Sequence, residues 1–184
     1  MPAGPPQHHG ASLPGVSGRV VVVTDSTASL PDQVVRDRGI VVVPLQVVVG
    51  AEPRDESGQT SQQTVADALR AFAPVSTSRP SPDAFLEAYE RVRADGADGI
   101  VSVHLSSEVS GTYDSAVLAA QQAGIPVTVV DSRQVGLATG FAVLSAAAAA
   151  EAGGSATAAA AAARRRATAI STYFYVDTLE HLRR

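Results

Sequence analysis

The chain has 184 residues, 45% of them apolar, with 14 basic against 18 acidic side chains and a formal charge of −4. A domain of that size buries roughly 70% of its unfolded surface without a metal or disulfide staple, and the absence of cysteine excludes disulfides, thiolate metal sites and cysteine nucleophiles. The acidic balance argues against nucleic acid, whose phosphates need clustered cations; no stretch approaches the roughly 18 apolar residues of a membrane span; and the start lacks a signal peptide's basic and apolar regions, which predicts a cytoplasmic protein with no integral membrane association.

Residues 1–18 are rich in Pro and Gly and nearly free of large apolar groups. They cannot bury enough surface to offset ordering entropy, so the expectation is a disordered tail ahead of one domain over 19–184. His8 and His9 fall in that tail and read as solvated residues rather than metal ligands. Val20 to Val23 is a β-branched run, followed by others at Ile40 to Val43, Leu45 to Val49, Ile100 to Leu105 and Val127 to Val130. Continuous apolar runs of this length suit strands buried on both faces of a parallel sheet. Pro44 has no N–H to offer a ladder and marks a bulge or an edge.

Helical segments lie between the runs. Ser29 precedes Leu30-Pro31-Asp32, and Ser81-Pro82-Asp83 opens a helix with Phe85, Leu86, Tyr89 and Val92 on one stripe and Gly96 at its end. A third helix spans Thr112 to Ala123, closed by Gly124. The tract from Ala142 to Ala163 is nearly all alanine, broken by Gly153-Gly154-Ser155, and reads as two helices flanking a turn. Arg164, Arg165 and Arg166 point about 100° apart on a helix and make a solvated face, not one patch. Tyr173 to Val176 alternates like a last strand, and Asp177 caps the segment running to Leu182. Strands alternating with capped helices give the fold class: α/β, a three-layer, doubly wound domain on a parallel sheet.

Ligands of such sheets bind beyond the carboxyl ends of the strands. Three hydroxyl-rich segments are expected there: Thr24-Asp25-Ser26-Thr27, Thr77-Ser78-Arg79-Pro80-Ser81, and Ser106 to Thr112; Asp131-Ser132-Arg133 follows the Val127 strand. The third runs from a strand end into a helix start, with Gly111 letting backbone approach a ligand. Free N–H groups and hydroxyls there make a neutral cradle suited to one carboxylate. With no lysine and no GK[ST] sequence, a polyphosphate site is disfavoured. Ser110 sits in E-V-S-G-T, which is not a nucleophile elbow. His104 closes a strand beside Ser106 and reads more readily as a hydrogen-bonded structural group than as a general base. Asp25 and Asp131 suit orienting or turn positions. No catalytic or metal-ligating residue is assigned.

Six segments, taken in order, resemble the DegV family of fatty-acid-binding proteins from Val20 to Leu182. They are V-T-D-S-T-A-S-L-P (Val23 to Pro31), V-P-L-x-V (Val43 to Val47), T-S-R-P-S (Thr77 to Ser81), H-L-S-S-E-V-S-G-T-Y-D-S-A (His104 to Ala116), V-V-D-S-R (Val129 to Arg133) and V-D-T-L-E-H-L (Val176 to Leu182). The resemblance implies a bacterial protein holding one long-chain fatty acid, with no cofactor and no enzymatic turnover of its own. It implies that Thr77, Ser106 and Ser107 grip the carboxylate while Ser78, Gly111 and Thr112 shape the cradle. Asp25, Ser26, Arg79 and His104 are accessory candidates. An ATP-dependent fatty acid kinase is the implied protein partner. The sequence departs from the family at Arg79, where Gln is usual, and at its end, where relatives continue with Gly-Gly-Arg into a second domain that covers the acyl tunnel. The expected architecture is therefore an N-terminal domain with the second domain missing. Two alternatives remain: a truncated subdomain without activity of its own, and a phosphocarrier- or kinase-like domain in which His104 carries the group.

Overall fold

The computed structural model describes residues 18–49, 52–55, 63, 66–68, 70, 71 and 73–173. In chain order the elements are β1 (Val20–Asp25), a 3-10 turn (Ser26–Ala28), α1 (Asp32–Asp37), β2 (Val41–Val43), β3 (Gln46–Val49), β4 (Glu52–Asp55), β5 (Val75–Ser78), α2 (Pro82–Ala94), β6 (Gly99–His104), α3 (Thr112–Ala120), β7 (Val127–Asp131), α4 (Leu137–Glu151) and α5 (Ala156–Thr168). Residues 1–17 of the expected tail and the segment 174–184, with its expected strand end and cap at Asp177, lie outside the described residues.

Four of the apolar runs form a parallel sheet in the order β2-β1-β6-β7. Side chains alternate across it. Val22, Val101, Val103 and Val130 face α4 and α5, whereas Val21, Val23, Val43 and Ile100 face α2 and α3. Both faces are covered, which is why these strands are apolar along most of their length. The chain goes from β1 outward to β2, then crosses to the other side of β1 for β6 and β7. The connections leaving β1 and β6 therefore diverge, opening the crevice where doubly wound proteins bind ligands.

The remaining strands build a second sheet, antiparallel, in the order β4-β3-β5. This corrects one expectation: Thr77 and Ser78 do not end a strand of the parallel sheet but sit in β5, paired with Val47 and Gln46 of β3. Pro44 is where the chain leaves one sheet for the other, since β2 stops at Val43 and β3 starts at Gln46.

Local signals set most helix ends. Ser81 caps α2 by accepting from the Ala84 N–H at 3.2 Å, and Ser155 caps α5 by accepting from Ala158 at 3.2 Å. Ser29 behaves differently from the expectation. It adopts a left-handed conformation (φ 53°) that ends the 3-10 turn, and Pro31 occupies the cap position of α1. α3 stops at Ala120, short of the expected Ala123, and Gly124 gives its N–H to Glu90 at 2.7 Å. Between α4 and α5, Gly153 takes φ 81°, which a side chain would resist. The two alanine helices pack through Ala146, Ala147, Ala159, Ala160 and Ala163, all buried. Gly140 of α4 lies against the 3-10 turn so closely that a Cβ there would fall 2.5 Å from the Ala28 carbonyl oxygen. The loop leaving β1 thus rests directly on helix backbone.

Candidate functional site

The carboxyl ends of β1 and β6 meet through side chains. Asp25, last in β1, is fully buried. Its Oδ2 accepts from His104 Nδ1 at 2.9 Å and from the Leu105 N–H at 3.3 Å. Its Oδ1 accepts from the Thr27 N–H at 3.1 Å and from the Thr27 hydroxyl. His104, last in β6, is equally buried, with its Nε2 2.7 Å from Ser102 Oγ and the Tyr89 hydroxyl donating to that Oγ at 2.9 Å. The ring of Phe85 meets the imidazole edge-on at 4.9 Å between centroids. Burial pushes the Asp25 carboxyl up. Its hydrogen bond and charge interaction with His104, together with those from Thr27 and Leu105, outweigh that and hold it below the usual aspartate value. Burial pushes the Tyr89 phenol up to about 12, against the opposing bond to Ser102.

The next turn carries the serine pair. Ser106 is buried; its N–H donates to the Gln134 carbonyl at 2.9 Å and its Oγ accepts from the Glu108 N–H at 3.3 Å. Among the described residues its hydroxyl hydrogen has no acceptor. Ser107 is exposed and committed differently: its Oγ donates to Asp131 Oδ2 at 2.7 Å and its N–H to Oδ1 at 3.3 Å. Asp131 also accepts from the Arg133 N–H at 2.8 Å. Ser110 Oγ lies 2.9 Å from Thr112 Oγ1 at the start of α3, and Thr112 is buried. Ser26 Oγ accepts from the Leu45 N–H at 2.9 Å, tying the β1 exit to the entry into the second sheet.

Of the Thr77–Arg79 segment, Arg79, one residue past the end of β5, reaches this region. Thr77 and Ser78 are exposed, and the Thr77 hydroxyl makes no hydrogen bond among the described residues. The Arg79 guanidinium covers Gly111, filling the position a Cβ would need there. The backbone of Gly111 is ordinary, at φ −73°, so what the missing side chain provides is room for Arg79. That contact brings the T-S-R-P-S and S-S-E-V-S-G-T segments together. Among the described residues Arg79 has no carboxylate partner. A cavity of about 500 Å³ adjoins the cradle at Asp131, lined also by Tyr113, Val129, Arg133, Gln134 and Arg164.

Two accessory candidates, Asp25 and His104, have no exposed surface. Both ring nitrogens of His104 are hydrogen-bonded inside the core, to Ser102 and to Asp25. Sequence reasoning missed Tyr89, Ser102 and Gln134. The signal for Ser102 was present in β6: Ile100-Val101-Ser102-Val103-His104 places two polar groups two residues apart, on one face of a buried strand. Gln134 carried no such pattern. Its side-chain nitrogen donates to the carbonyls of Ala167 at 3.1 Å and Ile170 at 3.0 Å, and its oxygen accepts from the Thr172 hydroxyl at 2.9 Å.

No helix among the described residues is long and apolar enough to cross a membrane. A family model described as "Uncharacterised protein, DegV family" matches residues 19–184. A DegV domain-containing protein of Streptomyces coelicolor is 51% identical over 169 residues, covering 92% of this chain and 60% of that protein. The solved structure of a DegV family protein from Thermus thermophilus, described as fatty acid binding, superposes with a TM-score of 0.75 at 36% identity, over 82% of this chain and 54% of that one. DegV of Bacillus subtilis, described as a fatty acid binding protein, superposes with a TM-score of 0.72 at 30% identity, over 83% and 54%. This chain thus spans only some 54–60% of the length of these relatives. The chain belongs to the DegV family.

Proposed function

We propose that this chain forms the headgroup side of a long-chain fatty-acid site, holding the carboxylate between the Thr77–Arg79 segment and the Ser106–Thr112 turn. The observation that carries the reading is the seating of Arg79 over Gly111, which joins the two segments across the two sheets. Relatives described as fatty acid binding share the fold and about a third of the sequence. A carboxylate needs donors, and the hydroxyl hydrogens of Ser106 and Thr77 are uncommitted among the described residues. That of Ser107 goes to Asp131, so Ser107 joins the grip only by giving up a hydrogen bond to a charged acceptor worth about 1.5–3 kcal/mol. Ser106 and Thr77 therefore lead, Arg79 adds an exposed cation, and Ser107 follows. Ser78 and Thr112 shape the walls.

The hydrocarbon tail supplies most of the affinity. Each buried methylene contributes about 0.8 kcal/mol, so a tail of about fifteen gives on the order of 10 kcal/mol when fully enclosed. The hydroxyls decide which end faces the cradle. The protein on this reading works in the cytoplasm as a binding component, without turnover of its own, and presents the acid to an ATP-dependent fatty acid kinase.

Calorimetric titration of the whole chain with palmitate tests the reading. Ser106→Ala and Thr77→Ala each lower affinity by about tenfold. Arg79→Gln lowers it about two- to fivefold, in a salt-dependent manner, and Ser107→Ala stays within about threefold. The absence of saturable binding up to millimolar palmitate, or equal losses at all four positions, overturns it.

A further inference from the structure

We propose that the buried Asp25–His104 pair is a positioning element: its carboxylate fixes the Leu105–Ser107 turn by hydrogen bonding across the gap between β1 and β6. What that turn holds rests on the fatty-acid reading; that the pair sets its shape does not.

The parallel ladder between β1 and β6 ends at the Thr24–Val103 pair. Past it the two chains separate, one into the 3-10 turn and the other into the Ser106 turn. Asp25 is the tie beyond the ladder, because its two oxygens address different loops. Oδ1 holds Thr27 on the β1 side, and Oδ2 holds His104 and Leu105 on the β6 side. Leu105 immediately precedes Ser106, whose N–H is fixed from the opposite direction by the Gln134 carbonyl.

A pair of ionisable groups at this depth is a costly way to fill a core, since aliphatic side chains of similar volume pack there without desolvation. The arrangement holds because every polar atom is partnered. Tyr89 donates to Ser102, Ser102 Oγ lies 2.7 Å from His104 Nε2, and His104 Nδ1 faces Asp25 Oδ2 at 2.9 Å. This chain of hydrogen bonds aims the imidazole, and the imidazole aims the carboxylate. Phe85 against the ring blocks other orientations.

The test compares the whole chain with Asp25→Asn and Tyr89→Phe by residue-resolved amide hydrogen exchange without ligand, alongside palmitate titration. Asp25→Asn is expected to speed exchange at Thr27, Leu105, Ser106 and Ser107 at least tenfold while amides of β7 and α4 keep their protection. Palmitate affinity falls in parallel. Tyr89→Phe, which keeps the ring, serves where Asp25→Asn fails to fold. It is expected to shift the His104 imidazole nitrogen resonances and to speed exchange at the same turn about threefold. Uniform loss of protection across the sheet, or no change at the turn, overturns the proposal. Loss of palmitate binding by the unsubstituted chain overturns the fatty-acid reading and leaves the exchange result standing.

Discussion

Tyr89 and Asp25 occupy one hydrogen-bonded chain yet respond to pH in opposite directions. The Tyr89 phenol is pushed from 10 up to about 12, so above pH 10 the folded chain binds a proton that the unfolded chain has lost. Its contribution is complete below pH 10 and is lost as pH rises toward 12, amounting to about 2–3 kcal/mol. Asp25 is held below its usual value. Its contribution is complete above the ordinary aspartate range and is lost as pH falls through the lowered one. Urea midpoints taken across pH are expected to fall at both extremes. Tyr89→Phe flattens only the alkaline limb and Asp25→Asn only the acid limb; an unchanged alkaline limb in Tyr89→Phe refutes the assignment. At this scale the sequence was partly legible. His104 was readable as a structural group, since it closes a buried strand. Tyr89, which reaches His104 only through Ser102, comes from α2, and no spacing in the chain links the two.

Two helix starts follow from side chains a few residues away, and those were legible. Ser155 and Ser81 stand ahead of apolar runs and make the cap bonds their type predicts. Ser155→Ala is expected to cost about 1 kcal/mol, lowering the thermal midpoint by about 2–4 °C. Exposed Arg165→Ala should stay within about 0.5 kcal/mol. Equal midpoints for the two variants in thermal denaturation would show that the cap bond contributes nothing. The five apolar runs matched β1, β2, β3, β6 and β7, but β4 and β5 carry no such run, and sheet membership was not legible. β5 reads Val75-Ser76-Thr77-Ser78 and is exposed along most of its length, so no buried face marks which sheet it joins. Its pairing with β3 is set by tertiary contact. Ser29 misled for a related reason: a Ser ahead of a helix signals a cap, but the left-handed turn it makes was an equally local alternative.

At the scale of the molecule, several large apolar side chains among the described residues stand exposed. Val109, Leu137 and Phe141 are each more than half exposed, beyond what their type prefers. An acyl tail lying on such a surface buries about half its area, so affinity should rise by about 0.4 kcal/mol per methylene rather than the full 0.8. Calorimetry with saturated acids of ten to sixteen carbons measures that slope; a full-value slope would mean that this chain encloses the tail by itself. The proposed site was readable as a set of segments and not as a geometry. That Thr77 arrives from a separate sheet, and that Arg79 rather than Thr77 makes the visible contact with the Ser106–Thr112 turn, depends on packing that no local pattern encodes.

Gln134 gives this architecture a mechanical property. Its main chain props the amide of Ser106 while its side chain grips Ala167, Ile170 and Thr172. One residue therefore bolts the floor of the cradle to the trailing end of α5. A tug on Ile170 or Thr172 reaches Ser106 through this one residue, from its carboxamide to its backbone carbonyl.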